Sequence, residues 1–445
     1  METDVIVVGA GAAGLAAALW LADRSVRVIV LEGRDRIGGR VRWQSVGSVD
    51  VPAELGAEFI HGEAPETSAL LREAGLTSVP TGDSSWTWSS DDGLRPASDD
   101  DFSGDMFERA GSLAEDESVE AYLSRIERDP QMRKKAQRAR AFVEGFEGAD
   151  PALASVGAIA DELGTGVDST ASRPVGSYAP LFEYLAARCA RGGVDLRLGS
   201  AVERIVWERG KVAVEARSES AGAFTVRARC AIVTVPVGVL QQHGDATRLS
   251  FAPPLPEEKQ VAIRGLEMGH AVRVVLAFRT PFWEEIDGGR YRDAAFFRCE
   301  GTAFNAFWTQ APLHERMIVA WAGGPRATAM DGTPAQARID RALDEFGTMF
   351  GQRDLARREC EAGVTYDWFT DPFACGAYSY VATGAGAARA ALGTPVEETL
   401  FFAGEATSTD GQGGTVSGAF GTGLRAAAEA ARALEVAGAP RKIVP

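Results

Sequence analysis

The sequence predicts an α/β protein of two domains, one of them carrying a Rossmann-type parallel sheet that binds a dinucleotide. Three observations lead there. The chain has 445 residues, 45% hydrophobic and 24% charged, which at roughly 100–200 residues per domain gives two or three domains. Its N-terminal segment reads strand, glycine-rich turn, helix, strand, acid. Near the other end, Phe401-Phe402-Ala403-Gly404-Glu405 reads as a strand leading to Gly413-Gly414-Thr415-Val416, a second glycine-rich loop that opens a helix.

Residues 4–8 are a short β-rich run ended by glycine, as a buried strand requires. Gly9-Ala10-Gly11-Ala12-Ala13-Gly14 follows, then an Ala/Leu-rich helix over 15–22 and a second apolar strand over 26–31, ending at Glu32. A lone G-x-G-x-x-G is weak evidence; strand, helix and acid around it make it strong. The first glycine makes the turn, the second lets backbone approach a pyrophosphate, and the third lets helix pack on strand, while the acid accepts from a ribose hydroxyl. The helix N-terminus adds partial positive charge. Gly9, Gly11, Ala13, Gly14 and Glu32 are therefore predicted to hold the cofactor, with NAD and FAD both open on this ground. The C-terminal loop, followed by a helix over about 421–434, is a second backbone cradle.

Composition removes other classes. Gly is 50 of 445, a surplus that suits tight turns and close backbone approach to a ligand. The net charge is −16, which repels nucleic acid and anionic membranes. The five cysteines (Cys189, Cys230, Cys299, Cys360, Cys375) include no C-x-x-C pair and read as buried, reduced thiols. The four histidines form no metal motif, and no G-x-S-x-G elbow is present. Residues 5–22 carry no charge, but Gly9, Gly11 and Gly14 interrupt them and Glu2 and Asp4 precede them, unlike a signal peptide or membrane span. A cytoplasmic protein, monomer or homodimer, is expected, with no metal.

Past the second strand, Glu32-Gly33-Arg34-Asp35-Arg36-Ile37-Gly38-Gly39-Arg40-Val41-Arg42 places the pair Gly38-Gly39 among four arginines, whose guanidinium groups are charge-assisted donors. This run resembles the R-x-G-G-R motif of the FAD-dependent amine oxidase superfamily (the flavin monoamine oxidase family), and assigns Arg34, Gly38, Gly39 and Arg40 to the cofactor. Glu54-Leu55-Gly56-Ala57-Glu58-Phe59-Ile60-His61-Gly62 resembles the segment that passes under the flavin in polyamine oxidases. It implies cofactor contacts for Gly56, Ala57 and Glu58, with Glu58 and His61 also placed to steer a cationic group. Phe401 to Glu405 is similar to the superfamily's F-A-G-E motif, whose Glu holds the ribityl or pyrophosphate part. By motif position Gly404, Glu405, Thr415 and Val416 inherit cofactor roles. Val202 begins a strand whose backbone contacts the adenine in relatives.

Trp368-Phe369-Thr370-Asp371-Pro372-Phe373-Ala374-Cys375-Gly376-Ala377-Tyr378-Ser379 resembles the W-x-x-D-P-x-x-x-G-x-Y-S segment of polyamine oxidases and flavin-dependent lysine demethylases. The resemblance implies that Tyr378 faces the flavin and the amine, with Trp368 beside it. Ala377 stands where monoamine oxidases have the cysteine that carries covalent FAD, so the FAD should be non-covalent. Three departures from the pattern follow. Thr415 takes the place of the second cage tyrosine, Ser417 that of a frequent histidine, and Arg273 that of a lysine that holds a water against flavin N5. Arginine stays protonated and cannot mimic such a lysine, which bears on reactivity with oxygen. Arg273 is left to order a water there or to bind an anionic group of the substrate.

The matched motifs span residues 4–62, about 202–283 and 366–434. They imply an FAD-binding domain of 1–80, 196–249 and 391–445 and a substrate-binding domain of 81–195 and 250–390, a mixed sheet with helices. Between about 80 and 190 nothing is recognised; residues 131–145 look helical, and 91–120 carry eleven acids against two arginines, a solvated surface or, less expectedly, an entrance for a cationic amine. The function implied is FAD-dependent oxidation of a polyamine- or monoamine-type substrate: hydride transfer to N5, imine hydrolysis, and reoxidation by O2 to hydrogen peroxide. Catalytic candidates are Arg273, Tyr378, Trp368, His61, Glu58 and Thr415. Three alternatives stand beside it: an amino-acid oxidase with Arg273 on the carboxylate, an FAD desaturase or isomerase of an apolar substrate, and a non-catalytic FAD-binding protein.

Overall fold

The computed structural model describes residues 1–98, 104–107, 110–165, 171–241 and 249–436. Of the acid-rich stretch, Asp99, Asp100, Asp101, Glu108 and the Asp105 side chain lie outside what is described, as do His243 and residues 437–445 of the predicted FAD-binding segment.

Five parallel strands lie in the order Asp195–Arg197, Val28–Leu31, Val5–Val8, Cys230–Val233, Leu400–Phe402. In sequence order this is 3-2-1-4-5, with the reversal between Val5–Val8 and Cys230–Val233, the switch point where open α/β sheets bind ligands. Both faces are covered, which is why the strands other than the edge strand Asp195–Arg197 are apolar without a break. Val5, Val7, Val28, Val30, Ile232 and Phe401 pack against the helices Ala12–Ala22, Ala179–Arg191 and Val416–Val436. Ile6, Val8, Ile29, Leu31, Val233 and Phe402 pack with Val212, Val214 and Val226 of a four-stranded sheet. The uncharged run over 5–22 is thus a strand, a turn and a buried helix. Among the described residues no helix is long and apolar enough to cross a membrane.

Two helices begin earlier than their glycines suggested. The first starts at Ala12, capped by Gly11 in extended backbone, which brings its free N–H groups to the turn. The last starts at Val416, five residues before the expected 421. Its internal glycines are there for close packing. A Cβ on Gly423 would lie 2.3 Å from the Ala13 carbonyl oxygen, and one on Gly418 2.1 Å from that of Gln412.

The second half is built on a seven-stranded mixed sheet: Cys360–Asp367, Ala271–Phe278, Met317–Gly323, Ala306–Trp308, Ala294–Cys299, Ser84–Ser89, Gly93–Pro96. Its pairings are antiparallel except that of Ala294–Cys299 with Ser84–Ser89. Because side chains alternate along a strand, Val272, Val274, Leu276 and Phe278 share one face with Phe297, Phe307 and Phe346 of helix Ala335–Met349. The other face carries Arg273, Trp321, Ala306 and Arg298, which the register aligns across four strands.

Helices Val119–Ile126, Arg133–Phe146 and Val156–Leu163 form a further core that also takes in Tyr380. The helical stretch expected over 131–145 is the second of these. Cys189, Cys230 and Cys299 are buried, but Cys360 and Cys375 are only part-buried, against the expectation for all five; none forms a disulfide.

Candidate active site

A cavity of about 1660 Å³ opens at the carboxyl ends of the parallel strands and extends to the open face of the mixed sheet. Ligand pockets for drug-sized molecules measure roughly 300–1,000 Å³, so this one has room for a dinucleotide and a second molecule.

The first turn fits a dinucleotide. Gly9 has φ +106°, a conformation glycine supplies. A Cβ on Gly14 would sit 2.0 Å from the Gly9 carbonyl oxygen, so the third glycine permits the helix–strand contact. Gly11 differs: a Cβ there would come no nearer than 3.9 Å to Gly39 Cα, its closest neighbour across the turn, so protein packing does not require glycine and the open side is the cavity. Gly9, Gly11, Ala13, Gly38, Gly39, Ala57 and Val202 all line it, whereas Gly14 lies outside its lining. Glu32 is buried and accepts from the backbone N–H of Ala10 at 2.7 Å and Arg34 at 2.9 Å, which fixes its carboxylate at the cavity edge.

The four arginines of the R-x-G-G-R run divide into two kinds. Arg34 and Arg40 border the cavity; Arg34 donates to Asp371 at 2.7 Å, and Arg40 to Glu405 at 2.7 Å and the Ala377 carbonyl at 2.9 Å. Arg36 instead donates to the carbonyls of Ile37, Gly39 and Val41, bracing the loop, and Arg42 lies over the Tyr366 ring. Neither of these two borders the cavity, so they do not serve as donors to a bound cofactor. Glu405 also accepts from Ser379 Oγ at 2.6 Å and Gly414 N at 3.1 Å. Burial would raise this carboxyl, but Arg40, Arg389 and the Ser379 hydrogen bond hold it below the usual range. Gly404, Thr415 and Val416 line the cavity beside it, the Thr415 hydroxyl being tied to Gln412 and Gly418. Glycine backbone, a helix N-terminus, an acid and fixed cations form a donor set that suits FAD.

Arg273, the third residue of the strand Ala271–Phe278, is buried and borders the cavity. Its Nη1 donates to the Gly56 carbonyl at 2.7 Å and its Nη2 pairs with Glu58. Glu58 is held further by Arg173 at 3.0 Å, Trp308 Nε1 at 3.0 Å and Gln310 at 3.2 Å. Burial opposes this charge, yet Arg273 and Arg173 keep the carboxyl below its usual range. Two cations already surround Glu58, which leaves it no net negative charge to attract an amine. His61 does not attract one either, because burial pushes it down to about 4 and it is neutral at pH 7. Nη1 and Nη2 of Arg273 are engaged on the Gly56 carbonyl and Glu58, so Glu58 already stands where a substrate carboxylate would pair with it.

Tyr378 precedes the strand Ser379–Val381, donates to the Phe146 carbonyl at 2.5 Å and lines the cavity. Its ring is parallel to Trp321, with centroids 6.5 Å apart and planes 3° apart. From there aromatic contacts run without a break through Trp308, Phe59, His61 and Phe146 to Phe142, with Phe296 against Phe59 and Trp308. All these rings line the cavity. Trp368 lines it elsewhere, donating to the Leu55 carbonyl at 2.8 Å next to Gly56. The sequence reading found only Tyr378, His61 and Trp368 of these aromatics. The alternation in the mixed-sheet strands was the one signal for Phe296, Trp308 and Trp321, and it marks two faces without saying which is open. The described acids of 91–120 do not line the cavity, so they do not form its entrance.

Glu54, buried behind this wall, accepts from Tyr178 N at 2.6 Å. Burial pushes it up to about 8, against that hydrogen bond and the charge of Arg273. A folded-state value above the unfolded one means the associated stability is fully present below about 4.5 and lost as pH rises through about 8. Glu54→Gln should therefore match the native protein in denaturant midpoint at pH 5 and exceed it at pH 9. Equal midpoints at both would show that Glu54 is ionised without cost.

A family model described as flavin containing amine oxidoreductase matches residues 12–431. Polyamine oxidase 3 of Oryza sativa subsp. japonica is 30% identical over 470 residues, covering 96% of this chain and 88% of that protein. Lysine-specific histone demethylase 1 homolog 3 of Arabidopsis thaliana is 28% identical over 98% of this chain, which spans only 30% of that protein's length. Among solved structures, putrescine oxidase bound to putrescine superposes with a TM-score of 0.79 at 22% identity, over 97% of this chain and 99% of that one. Cyclohexylamine oxidase from Brevibacterium oxydans does so with 0.77 at 22%, over 98% and 100%. At those identities the structures attest the fold.

Proposed function

Because this chain belongs to the flavin-containing amine oxidoreductases, and is thus an FAD-dependent enzyme acting on an amine, we propose that its donor is a monoamine carried on an apolar, aromatic or alicyclic body. The single observation behind this reading is the continuous aromatic wall from Tyr378 to Phe142. Bound FAD supplies the redox chemistry, taking two electrons from the C–H next to nitrogen and passing them to oxygen.

The chain's own residues have three tasks. The rings desolvate the donor, which favours the neutral amine that can react. Their fixed contacts position its carbon. Glu147 and Glu162, which with burial and Glu405 raise Tyr378, line the same cavity; burial pushes Glu162 up to about 7 against the charge of Arg389, and an arriving ammonium head would favour its ionised form. A second ammonium fares worse: Arg298 shares the wall, and the carboxylates Glu58 and Glu300 are already paired with Arg173 and Arg138. Polyamine oxidase and putrescine oxidase among the similar proteins make the diamine the proper competitor.

The segments 1–80, 196–249 and 391–445 serve as the FAD-binding unit and 81–195 and 250–390 as the substrate-binding unit in this reading, with free thiols suited to the cytoplasm. The test is a length-matched pair, n-hexylamine against 1,6-diaminohexane, scored by peroxide release. The monoamine should have the higher kcat/KM by at least about tenfold, or 1.4 kcal/mol. A preference of that size for the diamine would overturn the proposal.

A further inference from the structure

Behind the wall lies a second cavity of about 30 Å³, bordered by Glu54, Glu58, Arg173, Arg273, Ser177 and Glu315 among others. A site needs roughly 10–15 Å³ of such volume to hold a water, so it takes one water or one ion of similar size. Of the two cavities, Arg173 and Glu54 line only this one, while Arg273 borders both.

Its polar lining is unusual. Arg173 and Arg273 each have side chains 3% exposed. Arg173 Nε and Nη2, Arg273 Nε and Glu54 Oε2 are buried and have no hydrogen-bond partner among the described residues. Three of those four atoms are guanidinium N–H donors, and a buried unpaired donor costs about 1–3 kcal/mol or more when charged. Glu58 balances only one of the two arginines. The lining therefore offers three buried guanidinium N–H donors from which none of its carboxylates, Glu54, Glu58 or Glu315, accepts, and what it lacks is an acceptor for them.

We infer that this cavity is a halide site, binding one chloride-sized anion between Arg173 and Arg273 behind the face that meets the large cavity. The charged or titratable groups bordering the anion are Arg173, Arg273, Glu54, Glu58 and, toward the surface loop, Glu315; Tyr178 contacts Glu54 from the far side. Glu58 is committed to the arginines, and Glu54 is uncharged while protonated, with its O–H a further donor. Ionised Glu54 would place a negative charge beside the two arginines and expel the anion. Halide affinity should thus be greatest below about pH 8 and fall by up to about tenfold per pH unit above it.

The test uses the FAD-loaded protein crystallised at pH 6.5 with sodium bromide in place of chloride, and data at the bromine absorption edge. An anomalous peak in the small cavity within contact of Arg173 is expected. Density there without anomalous signal means a water and overturns the inference. A second measurement guards against an unfit crystal: thermal midpoints in bromide against fluoride at matched ionic strength, at pH 6.5 and 9.5. Bromide should raise the native protein's midpoint at pH 6.5 and lose that effect at pH 9.5, whereas Glu54→Gln should keep it at both. The same response to both salts at pH 6.5, or a halide effect lost in Glu54→Gln, contradicts the site.

Discussion

Glu58→Ala is expected to destabilise the protein by roughly 3–5 kcal/mol, the cost of removing one partner from a buried ion pair. Glu58 is the counter-ion of two buried arginines and also accepts from Trp308 and Gln310. Its loss leaves both cations facing each other in an interior that cannot solvate them. Removing one cation as well should restore part of the stability, so Glu58→Met combined with Arg173→Met is expected to lie between the single variant and the native protein. Denaturant midpoints of the three proteins check this. A loss below about 1 kcal/mol for Glu58→Ala would mean that the arginines find water or other partners and that the network is a surface-like one.

The second large effect separates glycines that serve packing from a glycine that serves the ligand. Gly14→Ala drives a Cβ to 2.0 Å from the Gly9 carbonyl oxygen, and Gly56→Ala drives one to 1.8 Å from that of Arg40. Both contacts are with backbone, so helix or strand must shift, at about 1–3 kcal/mol or more. Gly11→Ala brings its Cβ only to 3.9 Å from Gly39 Cα and keeps an ordinary φ of −78°. It should leave the stability of the FAD-free protein within about 0.5 kcal/mol. Its methyl group points to where a pyrophosphate would approach, so FAD retention should fall at least about tenfold, a cost of 1.4 kcal/mol. Equal loss of apo-protein stability in Gly11→Ala and Gly14→Ala would remove the distinction.

The parts of the fold that could be read in advance are those fixed by neighbours in the chain. The turn from Gly9 to Gly14, the acid at Glu32 and the Gly404-Glu405 loop are local backbone requirements, so their spacing carries them. The helices start at Ala12 and Val416, ahead of the expected 15 and 421, and the glycines inside them admit a neighbouring backbone. The aromatic wall was mostly invisible. Phe296, Trp308 and Trp321 meet through register, Phe296 opposite Trp308 and Ala306 opposite Trp321, while Phe59 comes from outside any strand and Phe146 from the end of a helix. Glu58 and Arg273 were each singled out, yet nothing local says that they pair. Their pairing changes both expected roles: the acid is not a free anion for steering, and the arginine is not a free cation for a carboxylate.

The most direct test of the account is anaerobic mixing of the purified FAD-loaded protein with 2-phenylethylamine, followed at the oxidised-flavin band. The account predicts that the band bleaches to completion, that phenylacetaldehyde and ammonia form after imine hydrolysis, and that admitting air restores the band with release of hydrogen peroxide. A band that persists with this amine, with cyclohexylamine and with putrescine, in a protein that demonstrably holds FAD, would contradict amine oxidation at this cavity.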